Sequence, residues 1–357
     1  MKHTSALFAT VVALPALVAF APKADSVKFA PAEGTTVTKS FTTKSDFSLD
    51  DMSMLMNGEP NPMMPELSMK MLISQTTSVT DTYGKVADGR PAKLTRKYDG
   101  ASMDMNMDME VDMMGETDTQ SAEGSGTSKL DGSTVIFTWD ADSGSYKAAF
   151  PEGAEGDADL LEGLAEDMDL RGLLPASGEL SAGDSYDVPL TALIDVFAPG
   201  GDLKLDVEME GAGEMGGPDP SMMTDFRRIF EEMVEGEATG KYVGTREVDG
   251  VKVGVIELTF KIKASRDMSE FVAELMGGEM PEGLEMTVNR LDVDFTYEGG
   301  GELHWNLGAG HAHALALKGE ASVAMDMEMA MDFGGQSMTM AMEMAMSGAL
   351  ENNMSVQ

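Results

Sequence analysis

The stretch "AMDMEMAMDFGGQSMTMAMEMAMSG" (residues 324–348) sets a methionine at almost every second position, in two runs parted by a glycine-containing break. A period of two is the mark of a β-strand, because successive side chains leave a strand on opposite faces. Before the break the apolar residues hold odd positions: Met325, Met327, Met329, Met331 and Phe333. After it they hold even positions: Met338, Met340, Met342, Met344 and Met346. A hairpin through "GGQS" reconciles the two parities. With a four-residue loop Phe333 lies opposite Met338, Met331 opposite Met340 and Met325 opposite Met346. All of these side chains then share one face, and a one-residue slip would expose a whole row. On the other face this register opposes Glu328 and Glu343, a like-charge pair that a cation or high ionic strength would relieve.

The odd-position alternation reaches back to His311 through Val323, Ala321, Leu317 and Leu315. Roughly 23 residues at ~3.3 Å each make about 75 Å of strand. A strand so long must curve, or be divided by a bulge near Gly319. Upstream, Leu291, Val293, Phe295, Tyr297, Leu303, Trp305 and Leu307 share odd parity, interrupted by "GGG" (299–301), and "GAG" (308–310) supplies a hairpin loop. In the first half, "MDMNMDMEVDMM" (103–114) puts Met103, Met105, Met107, Met109, Val111 and Met113 on one face.

Further strands read from "SFTTKSDFSL", "MSMLM", "SMKMLISQTTSVT" and "AKLTRKY". "STVIFTWDADSGSYKAAF" reads as a hairpin turning around residues 140–145. Helical periodicity is confined to "DADLLEGLAEDMDLRGLL", "PLTALIDVF", "SMMTDFRRIFEEMVEG" and "DMSEFVAELMGG". The Gly- and acid-rich "GETDTQSAEGSGTS" (115–128) and "EGAGEMGGPDPS" (210–221) read as flexible joints. The expected fold is mainly β: a large curved antiparallel sheet, an open half-barrel or sandwich-like, with very long strands and a few short covering helices.

The 357 residues begin with a short basic start and an apolar run broken by Pro15, followed by small residues. That pattern predicts a secretory signal peptide over residues 1–24. The mature chain divides into N-terminal (25–200) and C-terminal (201–357) β-rich halves. "YGKVADGRPAKLTRKY" and "YVGTREVDGVKVGVIELTF" each read as strand, Asp-Gly turn and strand, and each half carries one tryptophan, Trp139 or Trp305, about 50 residues later. The echo suggests a duplication sharing one sheet, set against the ordinary recurrence of Asp-Gly turns in β proteins.

The formal charge of −37 argues against nucleic acid and anionic membranes as partners and favours solvent cations on an acidic surface. With no cysteine there is no disulfide, thiolate ligand or thiol nucleophile. No later run is apolar long enough for a membrane helix, so stable insertion is not expected. Sparse aromatics and the ending "NNMSVQ" argue against an outer-membrane barrel. Export without disulfides predicts a periplasmic or extracellular protein.

The succession of an export signal, "VKFAPAEGTTV", hairpins with "VADG", "LLPASGELSAGDSYDVP" and "GGGELHWNLGAGHAHALALKGE" resembles a group of secreted bacterial β-rich proteins classed as a domain of unknown function. Long curved antiparallel strands with an apolar inner face are also similar, in architecture alone, to periplasmic lipoprotein carriers. Neither resemblance implies a catalytic residue.

The methionines admit three readings: a core face, a deformable face for apolar ligands, or soft-metal thioethers. Same-face residues on one strand lie about 6.6 Å apart, so sulfurs could converge only across neighbouring strands. Val111 holds a methionine position without a thioether, which an apolar face allows. The candidate ligand contacts are Met103, Met105, Met107 and Met109, then Met325, Met327, Met329 and Met331, then Met340, Met342 and Met344. Matching apolar rows sets His311 and His313 beside Trp305 with His304 on the other face, so no three-histidine metal site is expected. "DADSGS" (140–145) lacks the later ligands of a calcium loop and reads as a hairpin turn. "GDSYD" (183–187) lacks the glycine of a nucleophile elbow. No catalytic residue, metal site or cofactor is predicted. The expected function is non-catalytic: binding or carrying an apolar small molecule or lipid. Cu(I) binding and a purely structural envelope role are the alternatives.

Overall fold

The structure is a computed structural model describing residues 24–60, 66–113, 116–154, 156–210, 234–269, 284–333 and 336–357. The N-terminal strands are β1 (Asp25–Ser26), β2 (Thr36–Met56), β3 (Glu59–Pro60), β4 (Glu66–Tyr83), β5 (Val86–Ala87) and β6 (Arg90–Pro91). They continue with β7 (Lys93–Met113), β8 (Glu116–Ser128), β9 (Thr134–Asp140) and β10 (Ser145–Ala149). After β11 (Glu179–Leu180) and β12 (Ser185–Asp187) comes one helix, α1 (Leu190–Phe197). Then follow β13 (Leu205–Glu210), β14 (Glu235–Val248), β15 (Val251–Asp267), β16 (Leu284–Asn306), β17 (His311–Phe333) and β18 (Gln336–Val356).

Fourteen strands form one curved antiparallel sheet that does not close into a barrel. Its order is β10-β9-β7-β4-β2-β18-β17-β16-β15-β14-β12, with β8 and β13 extending from β7 and β3 from β2. The first and last long strands meet at the centre, where β2 pairs with β18. The chain around residue 200 links the two blocks, since β12 joins β14 and β13 joins β8. Both Asp-Gly turns have left-handed backbones, Asp88 at φ 51° with Gly89 at 72° and Asp249 at 50° with Gly250 at 78°. That is the twist-matched hairpin turn. The tryptophans, by contrast, stand in unlike settings. Trp139 lies near the edge with Arg90 4.2 Å above its ring, whereas Trp305 is fully buried and donates its indole N–H to the Lys28 carbonyl.

β17 spans the whole alternation from His311 to Phe333 without a bulge at Gly319. Curvature is accommodated by glycine instead. Gly319 pairs with Gly299, and a Cβ on Gly299 would stand 2.4 Å from the Lys318 carbonyl oxygen and 2.6 Å from the Gly319 Cα. "GGG" therefore lies inside one continuous β16 rather than interrupting it. Tyr297, Phe260 and Phe197 pack beside these glycines, with ring centroids 4.7–5.2 Å from Tyr297.

The predicted hairpin register is corrected by two residues. Phe333 pairs with Gln336, Met331 with Met338 and Met325 with Met344, leaving only Gly334 and Gly335 between the strands. An even shift keeps the two methionine rows on their predicted face. Glu328 consequently faces Ala341, while Asp326 faces Glu343 and is relieved by an ion pair with Arg290.

Two other expectations are corrected. Residues 115–128 are not a joint: β8 pairs with β7 and β13. Its inward residues Ala122, Gly124 and Gly126 are buried but too small to give a hydrophobic alternation, and Met105, Met209 and Val207 pack over the two glycines. Residues 157–174 are not a helix but an irregular segment with 3-10 turns at Ala158–Leu161 and Arg171–Leu173. Gly163 and Leu170 take positive φ there, and the Asp157 and Asp169 side chains cap local backbone N–H groups, which competes with helix formation. α1 agrees with "PLTALIDVF". The last two helical candidates, the signal segment and the 210–221 joint lie outside the described residues apart from their ends.

The core gathers at one end of the strands, here called the root. Leu303, Trp305, Leu315, Leu317, Ile256, Leu94, Val79 and Tyr83 project from the sheet beneath Leu173, Leu180, Leu193 and Leu203. Burying a side chain of this size contributes roughly 1.5–3 kcal/mol. The cluster is one continuous core.

Candidate functional site

Away from the root, the inward face changes from Leu, Val and aromatics to methionine. Pairing between β2 and β4 ends at Ser48–Lys70, although both strands run on. Beyond that point the sheet parts into two arms. The C-terminal arm comprises β16, β17, β18 and the end of β2; the N-terminal arm comprises the far part of β4 with β7, β8 and β13.

In the C-terminal arm, Met325, Met344 and Met52 form one cross-strand row; Met327, Met342 and Met54 form the next; Met329, Met340 and Met56 form a third. Val293, Leu291 and Val288 of β16 extend the three rows. A bulge makes this possible. In β2, Leu49 pairs with Met346 and Asp51 with Ala345, so Asp50 is extra. The inward parity thereby changes from odd (Phe47, Leu49) to even (Met52, Met54, Met56), which is what a bulge does to a strand's facing.

In the N-terminal arm, Met107 pairs with Met71 and Met109 with Met69, while Met105 pairs with Ile73 and Met103 with Gln75. On the β8 side these four face Ala122, Gln120, Gly124 and Gly126. Because Phe47 pairs with Met71, both arms continue the same core face.

All eleven predicted contacts thus lie on one face of one sheet, but in two groups. Met103, Met105 and Met329 are buried, each 7–8 % exposed. Met107, Met109, Met325, Met327, Met331, Met340, Met342 and Met344 are half-buried. Met56, at the outermost row, reaches 36 %. The face is therefore neither a closed core nor a bare surface. Met338 and Met346, already placed on this face by the hairpin reading, belong to it, as do Met52, Met54, Met56, Met69 and Met71, which were not placed there from sequence. The alternation in "MSMLM" was visible, but its facing depended on the bulge. The reverse face of the C-terminal arm is acidic, with a shallow hollow edged by Asp51, Asp294, Asp326 and Glu343.

His304 stands on the face away from Trp305 as expected, but His311 and His313 are not arranged as predicted. A bulge sets Ala312, not His311 or His313, opposite Trp305. His304 bonds Glu302 at 2.9 Å, and His311 is buried against the Ala312 carbonyl, its pKa lowered by that burial. In the 140–145 turn Asp140 accepts the Asp142 N–H and pairs with Lys147. No group of three or more His, Asp or Glu side chains is placed to hold a metal among the described residues.

The root contains a buried ionic cluster that sequence reading missed. Asp81, fully buried, accepts from Arg96 Nε at 2.8 Å and from Lys39 Nζ at 2.8 Å. Lys39 also bonds the Met168 carbonyl, and Arg96 the Ala165 and Glu166 carbonyls. Arg171 spans Glu166 and Asp169. Burial would raise the Asp81 pKa, but Arg96 and Lys39 outweigh it and hold it at about 2. Burial and then Asp169 push Glu166 up to about 7 against the pull of Arg171 and Arg96. Three cations meet three carboxylates, and the cluster clasps the irregular segment to the sheet. These partners are separated by up to 129 residues, so no local motif announces them.

No family model and no curated protein matches the sequence. Among solved structures the chain is similar to Acinetobacter baumannii OccAB4 at 8 % identity, over 89 % of this chain and 99 % of that one, with a TM-score of 0.10. A score of that size supports neither a shared fold nor a shared function. No helix among the described residues is long and apolar enough to cross a membrane.

Proposed function

We propose that this is an exported, non-catalytic protein that binds or carries an apolar molecule, of lipid class, on the methionine-lined face. One observation carries the reading: the inward face continues past the packed root as half-exposed methionines on both arms. Methionine is unbranched and polarizable, so such a face adapts to ligands of varied shape. The signal-like N-terminus and the absence of cysteine support export. The architectural resemblance to periplasmic lipoprotein carriers points the same way.

Titration with a fluorescent long-chain fatty acid tests the proposal. Saturable binding is expected, and Met342→Glu should weaken it at least tenfold by placing a charge in the middle row. Binding of equal strength in that variant, or none in the native protein, would refute carriage on this face.

A further inference from the structure

Beyond apolar carriage, we propose that the three methionine rows of the C-terminal arm that β2 completes are soft-metal sites, each taking one Cu(I) ion through three thioethers. The rows are Met325–Met344–Met52, Met327–Met342–Met54 and Met329–Met340–Met56, each drawn from β17, β18 and β2. Thioethers select Cu(I) over harder cations. Along one strand the sulfurs stand too far apart to share an ion, since same-face residues repeat at roughly 6.6 Å. Across strands the geometry differs.

Directly paired residues have Cβ atoms about 5 Å apart. The outer two methionines of a row can therefore lean toward the middle one on β18. At a length of roughly 2.3 Å, that of a zinc–thiolate bond, three sulfurs around one ion lie about 4 Å from one another. The Asp50 bulge is what delivers the third thioether, because an unbulged β2 would turn Met52, Met54 and Met56 to the reverse face. The rows remain accessible: eight of the nine methionines are half-buried or more exposed, Met329 being the buried one.

Electrostatics favour loading. Two monovalent ions about 7 Å apart repel by roughly 0.6 kcal/mol in water and about 2 kcal/mol at an effective dielectric constant of 20. Asp51, Asp294 and Glu343 on the back of the same strands, beside the Asp326 charge that Arg290 already pairs, oppose that repulsion. The N-terminal arm serves as an internal control. Met107 and Met109 each have a single paired methionine, and β8 supplies Ala122 and Gln120 instead of a third sulfur.

The test is anaerobic Cu(I) titration of the full chain against a competing colorimetric chelator. At least three ions per chain are expected, since Met286, Met331 and Met338 pair as a further row of three on β16, β17 and β18. Because thioethers take up no proton, the stoichiometry should be the same at pH 5 and pH 8, unlike that of histidine or carboxylate ligands. Replacing one row with leucine (Met54→Leu, Met327→Leu and Met342→Leu) should remove one ion. Leucine at Met103, Met105, Met107 and Met109 should remove none. Leucine preserves apolar area, so fatty-acid binding by the row variant should persist and report an intact fold. Failure of the fatty-acid test in the native chain leaves the metal prediction standing on its own. The proposal is overturned if the native chain retains no Cu(I) against the chelator, or if the row variant binds as many ions as the native chain.

Discussion

At the root, the inward side chains of β16 and β17 are Leu303, Trp305, Leu315 and Leu317, each no more than 2 % exposed. Some ten residues further along the same strands they are Val293, Met325 and Met327, all half-buried. Backbone pairing is continuous from one region to the other, so strand formation does not separate them. Cover does. Over the root lie α1, the clasped segment at 157–174 and the N-terminal stretch around Val27, all within one core. Branched and aromatic side chains serve there because rigid shapes interlock under cover. Methionine takes over where the face is half-exposed. One sheet is therefore a packed core at one end and a half-exposed methionine face at the other.

The largest expected contrast is ionic. Asp81→Ala would strand Lys39 and Arg96 in the root without their carboxylate, a loss of about 3–5 kcal/mol. It should appear as a lower urea midpoint with an unchanged slope. Asp326→Ala breaks only the exposed pair with Arg290, and its midpoint should match the native value within error. Equal losses at both positions would break the comparison.

Truncation of apolar side chains gives the next contrast. Leu315→Ala should cost about 2–5 kcal/mol. Met342→Ala should cost roughly 1 kcal/mol or less, because its side chain already meets solvent in the folded state. A Met342→Ala loss as large as that of Leu315→Ala would make the arm a second core.

A smaller effect lies in the pH dependence of the clasp. Glu166 has its folded pKa raised from 4.5 to about 7, so the folded state holds this proton more tightly than the unfolded chain. Its contribution is complete below pH 4.5 and is lost as pH rises through 7, a change on the order of 1–3 kcal/mol. Glu166→Gln should flatten the urea midpoint across that window. Asp81 works in the opposite sense, its pKa lowered from 3.8 to about 2. Stability from Asp81 is present above pH 3.8 and disappears as pH falls to about 2. A midpoint in Glu166→Gln that still declines from pH 4.5 to 7 would detach the slope from the clasp.

Much of the sheet was legible in the sequence because alternation is a local signal. The full length of β17, the two faces of the methionine runs and α1 all follow from residue order alone. Register was less so: parity fixes the face but not an even shift, and the pairing of Phe333 with Gln336 lies two residues from the predicted one. β8 escaped because its inward residues are Ala and Gly, which carry no hydrophobic period. Residues 157–174 misled because their leucines mimic a helical stripe while Gly163, Leu170 and the local aspartate caps prevent a helix. The eleven candidate methionines share one face, as their alternation implied, but the third-strand partners Met52, Met54 and Met56 were not placed there from sequence. Their facing turns on a single extra residue, Asp50, and a bulge is decided by pairing with β18 rather than by β2 alone. The Asp81 cluster joins β2, β4, β7 and the 165–171 segment, contacts that only the folded chain creates.

Native mass spectrometry of the protein purified from its source, beside a Met327→Glu, Met342→Glu variant prepared in the same way, measures most directly whether the methionine face holds a ligand. The account predicts an added mass of lipid size on the native chain that is absent from the variant. A native chain carrying only its own mass, or a variant retaining the same adduct, would contradict it.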